Sequence, residues 1–337
     1  MLPRDDRERA VSGDVAMGND LGRREFLRCG SAAVFGLAAG LLLGEKAGAI
    51  DYAQPVPEAE GLTAYRNGAN VLVRRNNMPL TSYRAHKSLK YPYFSPVNGP
   101  VSGMSLTSES GLPYPHHRGL WLGCEPMNGG DYWADNSLER GQIHSVGLRL
   151  GKVTKTSAEI LDECEWISKE SGAPMRDERR FIVTVASDRL WCIDCDFKLT
   201  AVEDVEVKKA KHSFFAIRAA SDISPTYGGV LMNSEGGVGA AGTYGKQATW
   251  CGYHGKRRNH GDLVEGIAVM THPDNPWPPV WFTREYGHLS PSPLNFQKQP
   301  WRLEKGQTLR LRYRVALHAG DPQEAALDRV YEQWVNE

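Results

Sequence analysis

The chain has 337 residues, 41% hydrophobic and 24% charged, with 40 basic side chains balancing 40 acidic ones. That balance is ordinary for a soluble globular protein, and the length suffices for a sizeable core. Zero net charge leaves no basic excess to neutralise phosphates, so no nucleic-acid partner is expected.

The first element is expected to lie outside the fold. Gly22-Arg23-Arg24-Glu25-Phe26-Leu27-Arg28 has the form of a twin-arginine export motif, followed by an apolar run from Ala32 to Leu43 and by Ala47-Gly48-Ala49, a small-residue cleavage pattern. The run is too short to span a bilayer comfortably, so no permanent membrane span is expected. Residues 1–49 are expected to form a signal peptide, with Met1 or Met17 as the start and a mature chain beginning near Ile50. The implied location is the periplasm or the outside, and the implied partner during export is the twin-arginine translocase.

Strand signals dominate the mature chain. "ANVLVRR", "GLRLGKVTKTSAEILDECEWIS", "RRFIVTVAS", "RLWCIDCDFKLTAV", "VEVKKAKHSFFAIRAA", "GDLVEGIAVMTH" and "QTLRLRYRVALHAG" mostly alternate apolar and polar residues. Gly, Pro, Asn and Asp clusters separate them. The tail, "DPQEAALDRVYEQWVN", carries helical spacing at Ala325, Leu327, Val330, Tyr331 and Trp334 after an Asp-Pro start. The expected fold is all-β, a large antiparallel β-sandwich with a C-terminal helix. No linker-like shift in composition appears, so residues 50–337 are expected to form a single domain.

Five cysteines remain after the leader, an odd number that supports no complete disulfide framework. Cys192 and Cys195 have CxxC spacing but lie within an alternating strand, where odd spacing puts the two thiols on opposite faces. The expectation is two structural thiols rather than a redox or zinc pair.

Two stretches break the strand rhythm, Tyr91 to Trp133 and Asn233 to Phe296, both rich in Gly, Pro, Trp, His and Asn. Loops that long in a compact domain usually carry function. The first holds "PYPHHRGLWLG". His116 and His117 are adjacent, so they converge on one ligand only if Pro115 and Gly119 bend the turn. Each imidazole can serve as acid, base or metal ligand. Arg118 would hold a neighbouring histidine neutral, or grip a carboxylate with both arms. Trp121 and Trp133 offer flat apolar faces, and Asn128 and Asp131 offer groups that fork to vicinal hydroxyls. Flat faces with forked polar groups suit a sugar, although some of these aromatics must simply plug the sandwich ends. In the second stretch Glu235 sits in a Gly-rich turn where it could serve as a base, with Glu285 as the other catalytic acid candidate; Lys246, Trp250 and Arg284 are candidates to bind substrate. "GGVGAAG" lacks dinucleotide-binding spacing, and no GxSxG, HExxH or P-loop occurs.

The motifs "PYFSPVNGP", "PHHRGLWLG", "NGGDYW", "HSFFAIRAA" and "PWPPVWFTREYG" together resemble the bacterial DUF6807 family, which has carried the label "methane oxygenase PmoA". The membrane monooxygenase subunit of that name is a multi-spanning helical protein, whereas this chain shows no spanning segment after its leader and reads mostly as strand. Members often carry Asp-His before the Pro-His-His; Pro113 and Tyr114 stand there instead, removing one potential metal ligand. Paired histidines with a late acidic base are also similar to the galactose mutarotase-type supersandwich, a fold-level likeness.

That resemblance implies an exported carbohydrate-active protein with mutarotase, epimerase, lyase or hydrolase chemistry. His116 or His117 would protonate a ring oxygen, and Glu235 or Glu285 would take the anomeric proton. Arg118 and Asn128 would orient hydroxyls while Trp121 or Trp133 stacks on the sugar. No cofactor is predicted. The alternatives are a zinc, iron or copper hydrolase or oxygenase using His116, His117, His144 and Asp131, and a non-catalytic sugar-binding sandwich.

Overall fold

The computed structural model describes residues 59–134, 137–208 and 210–337, which fall within one compact unit. The expected signal peptide lies outside the described residues.

With strands numbered in chain order, one sheet runs β1 (Leu62–Asn67), β2 (Asn70–Arg75), β3 (Met78–Arg84), β4 (Tyr93–Val97), β5 (Leu120–Glu125), β12 (His212–Arg218), β17 (His288–Ser290) and β16 (Phe282–Thr283). The other runs β13 (Val230–Asn233), β14 (Trp250–Lys256), β15 (Val264–Thr271), β19 (Thr308–Ala319), β10 (Leu190–Ala201), β9 (Gly172–Ser187), β8 (Ser157–Ser168) and β6 (Gln142–Ser145), with β7 (Arg149–Val153) added on β8. β11 (Val205–Val207) and β18 (Trp301–Leu303) pair by themselves. Neighbouring strands are antiparallel, as the alternating sequence requires.

The core lies where the two sheets face each other. Alternation turns Ala158, Ile160, Cys164 and Trp166 of β8 inward, and Ile193, Cys195, Phe197 and Leu199 of β10 with them. Aromatic rings bridge the layers: Phe94 meets Phe181 at 4.9 Å, and Phe215 stacks on Tyr313 at 4.7 Å. Each large apolar side chain withdrawn from water contributes about 1.5–3 kcal/mol.

A helix, α2 (Leu327–Val335), covers the outer face of the second sheet through Leu327, Val330 and Trp334, packed in one cluster with Cys192, Trp250, Met270 and Ala316. Cys192 therefore lies under the helix and Cys195 between the sheets, on opposite faces, and both are free.

Three sequence expectations need correction. The helix starts at Leu327 rather than after Asp321-Pro322, because Ala326 sits in the left-handed region (φ 50°) and breaks the helical path. "VEVKKAKHSFFAIRAA" is two strands, β11 and β12, in different sheets. The two supposed loops contain β4, β5 and β14 to β17. β5 is hidden in the sequence because Leu120 to Cys124 are buried without interruption, and a strand covered on both faces loses its alternation.

Candidate functional site

The cover over β5 is itself the site. Antiparallel register sets Trp121 of β5 opposite Ala216 of β12, Glu125 opposite His212, and Arg218 of β12 opposite His288 of β17. Directly opposed residues share a face. Phe215 and Ile217 go to the core, so Trp121, Glu125, His212, Arg218 and His288 project from the outer face.

Loops bring the rest. His117 lies 4.6 Å from His116 and is stacked 4.6 Å from His288 and 5.4 Å from Trp121, ring centre to ring centre. Arg218 Nη1 reaches His117 Nδ1 at 3.3 Å. Trp133 stacks on His212 at 4.9 Å and meets Trp121 edge-on at 5.1 Å. Glu125 accepts from His212 Nδ1 at 2.5 Å, and both side chains are partly exposed. Tyr114 and Tyr286, 5.1 Å apart, lie over His117. From the second sheet, Tyr253 donates to the carbonyls of Arg284 and His288 and so fixes the turn carrying Tyr286.

Burial sets the electrostatics. It drives the pKa of His117 down to about 2, with His116, Arg218 and His212 adding repulsion. Burial also holds His288 well below the usual imidazole range, helped by His117 and His212. Both are neutral at physiological pH. Burial raises the Tyr286 phenol to about 12, so it keeps its proton. Both ring nitrogens of His288 and the indole nitrogens of Trp121 and Trp133 are buried without a hydrogen-bond partner. Such groups are costly unless something pairs them.

The structure thus brings His116, His117, Trp121 and Trp133 together. Asp131 supports them from behind: its Oδ1 accepts from the backbone N–H groups of Trp133 and Ala134, at 2.9 Å each. Arg118 is turned toward Tyr93, 5.8 Å from its ring, in the surroundings of Glu109. The arginine beside His117 is Arg218. Arg284 lies 4.1 Å over Phe282 and adds positive charge near His288.

Others of the sequence candidates are occupied elsewhere. Asn128 clamps β11, giving to Asp204 O at 2.9 Å and accepting from Glu206 N at 2.7 Å. Trp250 is buried under α2 and donates to Asp328. Glu285 is exposed and accepts from Ala240 N at 2.6 Å. Glu235 and Lys246 are exposed beside the short helix α1 (Gly239–Thr243), and Glu235 is hydrogen-bonded by Ser234. Among the described residues these side chains take their hydrogen bonds away from His117, His212 and His288.

Among the described residues, no three His, Cys, Asp or Glu side chains converge as a metal ion requires. His144 belongs to β6 of the other sheet, and Asp131 is engaged by backbone, so the set His116, His117, His144 and Asp131 does not assemble. His117 and His288 meet face to face, an arrangement that does not aim two in-plane lone pairs at one ion.

Sequence reasoning missed His212, His288, Arg218 and Glu125. The signal was present in "HSFFAIR", where period-two spacing puts His212 and Arg218 on one face.

A family model described as "Family of unknown function (DUF6807)" matches residues 70–332. No curated protein matches the chain. Similar solved structures include galactose 1-epimerase from Lactobacillus acidophilus NCFM, at 7% identity over 77% of this chain and 98% of that one, TM-score 0.33. A galactose mutarotase related enzyme from Lactobacillus acidophilus matches at 10% identity over 76% and 97%, TM-score 0.23. The GalM/aldose epimerase homologue from C. elegans matches at 9% identity over 78% and 99%, TM-score 0.28.

Proposed function

This chain belongs to the DUF6807 family, and we propose that it is a carbohydrate-active enzyme doing proton-transfer chemistry on a sugar at the outer face of the first sheet. The observation that carries this is the Glu125–His212 pair at 2.5 Å, set against the face of Trp133 and beside the His117–His288 stack. A carboxylate on Nδ1 fixes the imidazole and leaves Nε2 to give or take a proton. Indole and phenol faces suit the apolar C–H patches of a sugar ring.

The roles differ from those expected of the sequence. His117 has no spare proton at neutral pH, so it serves as a neutral hydrogen-bonding group. His212, steadied by Glu125, takes the acid–base role that the sequence suggests for His116 or His117 with Glu235 or Glu285. His116 and Tyr286, both half-buried beside His117, would hold hydroxyls. Mutarotation, epimerisation, elimination and hydrolysis all need this proton transfer. We further propose that residues 1–49 are a twin-arginine signal and that the sandwich acts in the periplasm or outside.

The test is a panel of neutral and acidic sugars and their glycosides, followed by NMR for anomer exchange, epimerisation and bond cleavage. One class should turn over, and His212→Asn should abolish turnover while the fold persists. Full turnover by His212→Asn would sink the assignment.

A further inference from the structure

Four arginines are more than nine-tenths buried among the described residues: Arg179, Arg218, Arg257 and Arg314. Three have carboxylate partners. Arg179 meets Asp177 at 2.6 Å, Arg257 meets Asp222 at 2.9 Å, and Arg314 meets Asp194 at 2.5 Å. Arg218 is 5% exposed, and among the described residues no carboxylate lies within ion-pairing distance of it. Its contacts are His117 Nδ1 and the carbonyl of Leu112, each at 3.3 Å, and the ring of Tyr286, 4.5 Å from the guanidinium carbon. Its Nε is buried without a partner.

A buried guanidinium without an anion is expensive, and this molecule answers that cost with a carboxylate at its three other sites. Burial accordingly lowers the pKa of Arg218, and only the phenols of Tyr286, Tyr253 and Tyr114 oppose the shift. The nearby acids are committed: Glu125 to His212, Glu109 to Arg84, Glu285 to the backbone of Ala240.

We infer that the anion Arg218 lacks is supplied by the substrate, and that the sugar is an acidic one whose carboxylate seats on Arg218. This rests on the proposed carbohydrate function and narrows it to sugar acids such as uronates. A carboxylate has one charge for one guanidinium, and two coplanar oxygens for the remaining donor edge. A phosphate dianion needs a second cation, and Arg284 is already committed to the Thr283 carbonyl and two rings. Arg218 contacts His117, which stacks on Trp121 and His288, and His288 lies 6.3 Å from His212, so an acid group seated there lies at the imidazole cluster.

The test is calorimetric titration of the full chain with D-glucuronate and D-galacturonate, their neutral parent hexoses, hexose 6-phosphates, and benzoate as a non-sugar carboxylate. A uronate should bind at least tenfold tighter than its neutral parent. Arg218→Met should erase that preference, and its ligand-free melting temperature should match or exceed that of the parent, because a lone buried charge is gone. If this variant fails to fold, Arg218→Lys keeps the charge without the fork, and the preference should drop severalfold. Neutral hexoses bound as tightly as uronates would overturn the anion seat and leave the carbohydrate reading standing. A hexose phosphate bound tightest would overturn the carboxylate assignment. Benzoate bound without any sugar would keep the seat and remove the carbohydrate reading. Binding of nothing would remove both.

Discussion

Arg218 Nη1 lies 3.3 Å from Nδ1 of His117. A guanidinium has only hydrogens to give, so Nδ1 must accept, and the neutral ring of His117 carries its proton on Nε2. The arginine therefore selects a tautomer as well as opposing a charge. The expected result is a neutral Nε2–H signature for His117 in 15N NMR, unchanged from pH 5 to 8. Arg218→Met should release the constraint and mix the two tautomers. A His117 signal that titrates near 6.5 in the parent protein would refute the assignment.

The buried imidazoles also predict an acid-labile fold. His117 has a folded pKa of about 2, His288 lies well below the usual value, and burial takes His318 to about 4. An unfolded histidine titrates near 6.5. Below that pH the unfolded chain binds protons that the folded chain refuses, so acid favours unfolding. Stability is full above about 6.5 and falls as pH drops toward each folded pKa. The loss is about 1.4 kcal/mol per pH unit for each such histidine. Urea melts at pH 7, 6 and 5 would show it. His288→Phe should flatten the slope by one histidine's share; an unchanged slope would mean that ring is protonated in the fold.

The fold was legible wherever one face of a strand meets water. β8 alternates over most of its length, as do β10 from Ile193 and β19 from Thr308 to Tyr313, and their period of two can be read without coordinates. β5 was not legible, because the site covers its outer face and Leu120 to Cys124 are all buried. The same fact split the site reading. His116, His117, Trp121 and Trp133 stood out because they cluster in sequence. His212 and His288 did not, since register across β5, β12 and β17 joins them from points far apart in the chain. Asn128 and Trp250 misled for the opposite reason. Polar forks and indoles look alike in sequence whether they bind a ligand or clamp a strand.

Those two clamps make useful controls. Asn128→Ala removes two hydrogen bonds to the β11 segment and leaves alanine at φ 47°, at a cost of about 1–3 kcal/mol. Trp250→Phe loses the bond to Asp328 beneath α2, at about 1 kcal/mol. Both variants should melt earlier and bind sugar as the parent does. A weaker sugar affinity in Asn128→Ala, with its melting temperature unmoved, would return that residue to the site.

The Glu125–His212 pair carries the sharpest kinetic prediction. Glu125 is 27% exposed and His212 17%, so the pair sits at the edge of the buried cluster, where a substrate proton can reach it. Glu125→Gln keeps the shape of the side chain and one acceptor but replaces the carboxylate that accepts from His212 Nδ1 with a neutral amide. Turnover should fall by roughly 10²- to 10⁴-fold, the usual range for a lost general acid–base contribution. Sugar affinity should change little, because Trp121, Trp133 and Arg218 are untouched. A purely structural role for Glu125 would instead lower the melting temperature and leave the turnover of the folded protein at the parent level.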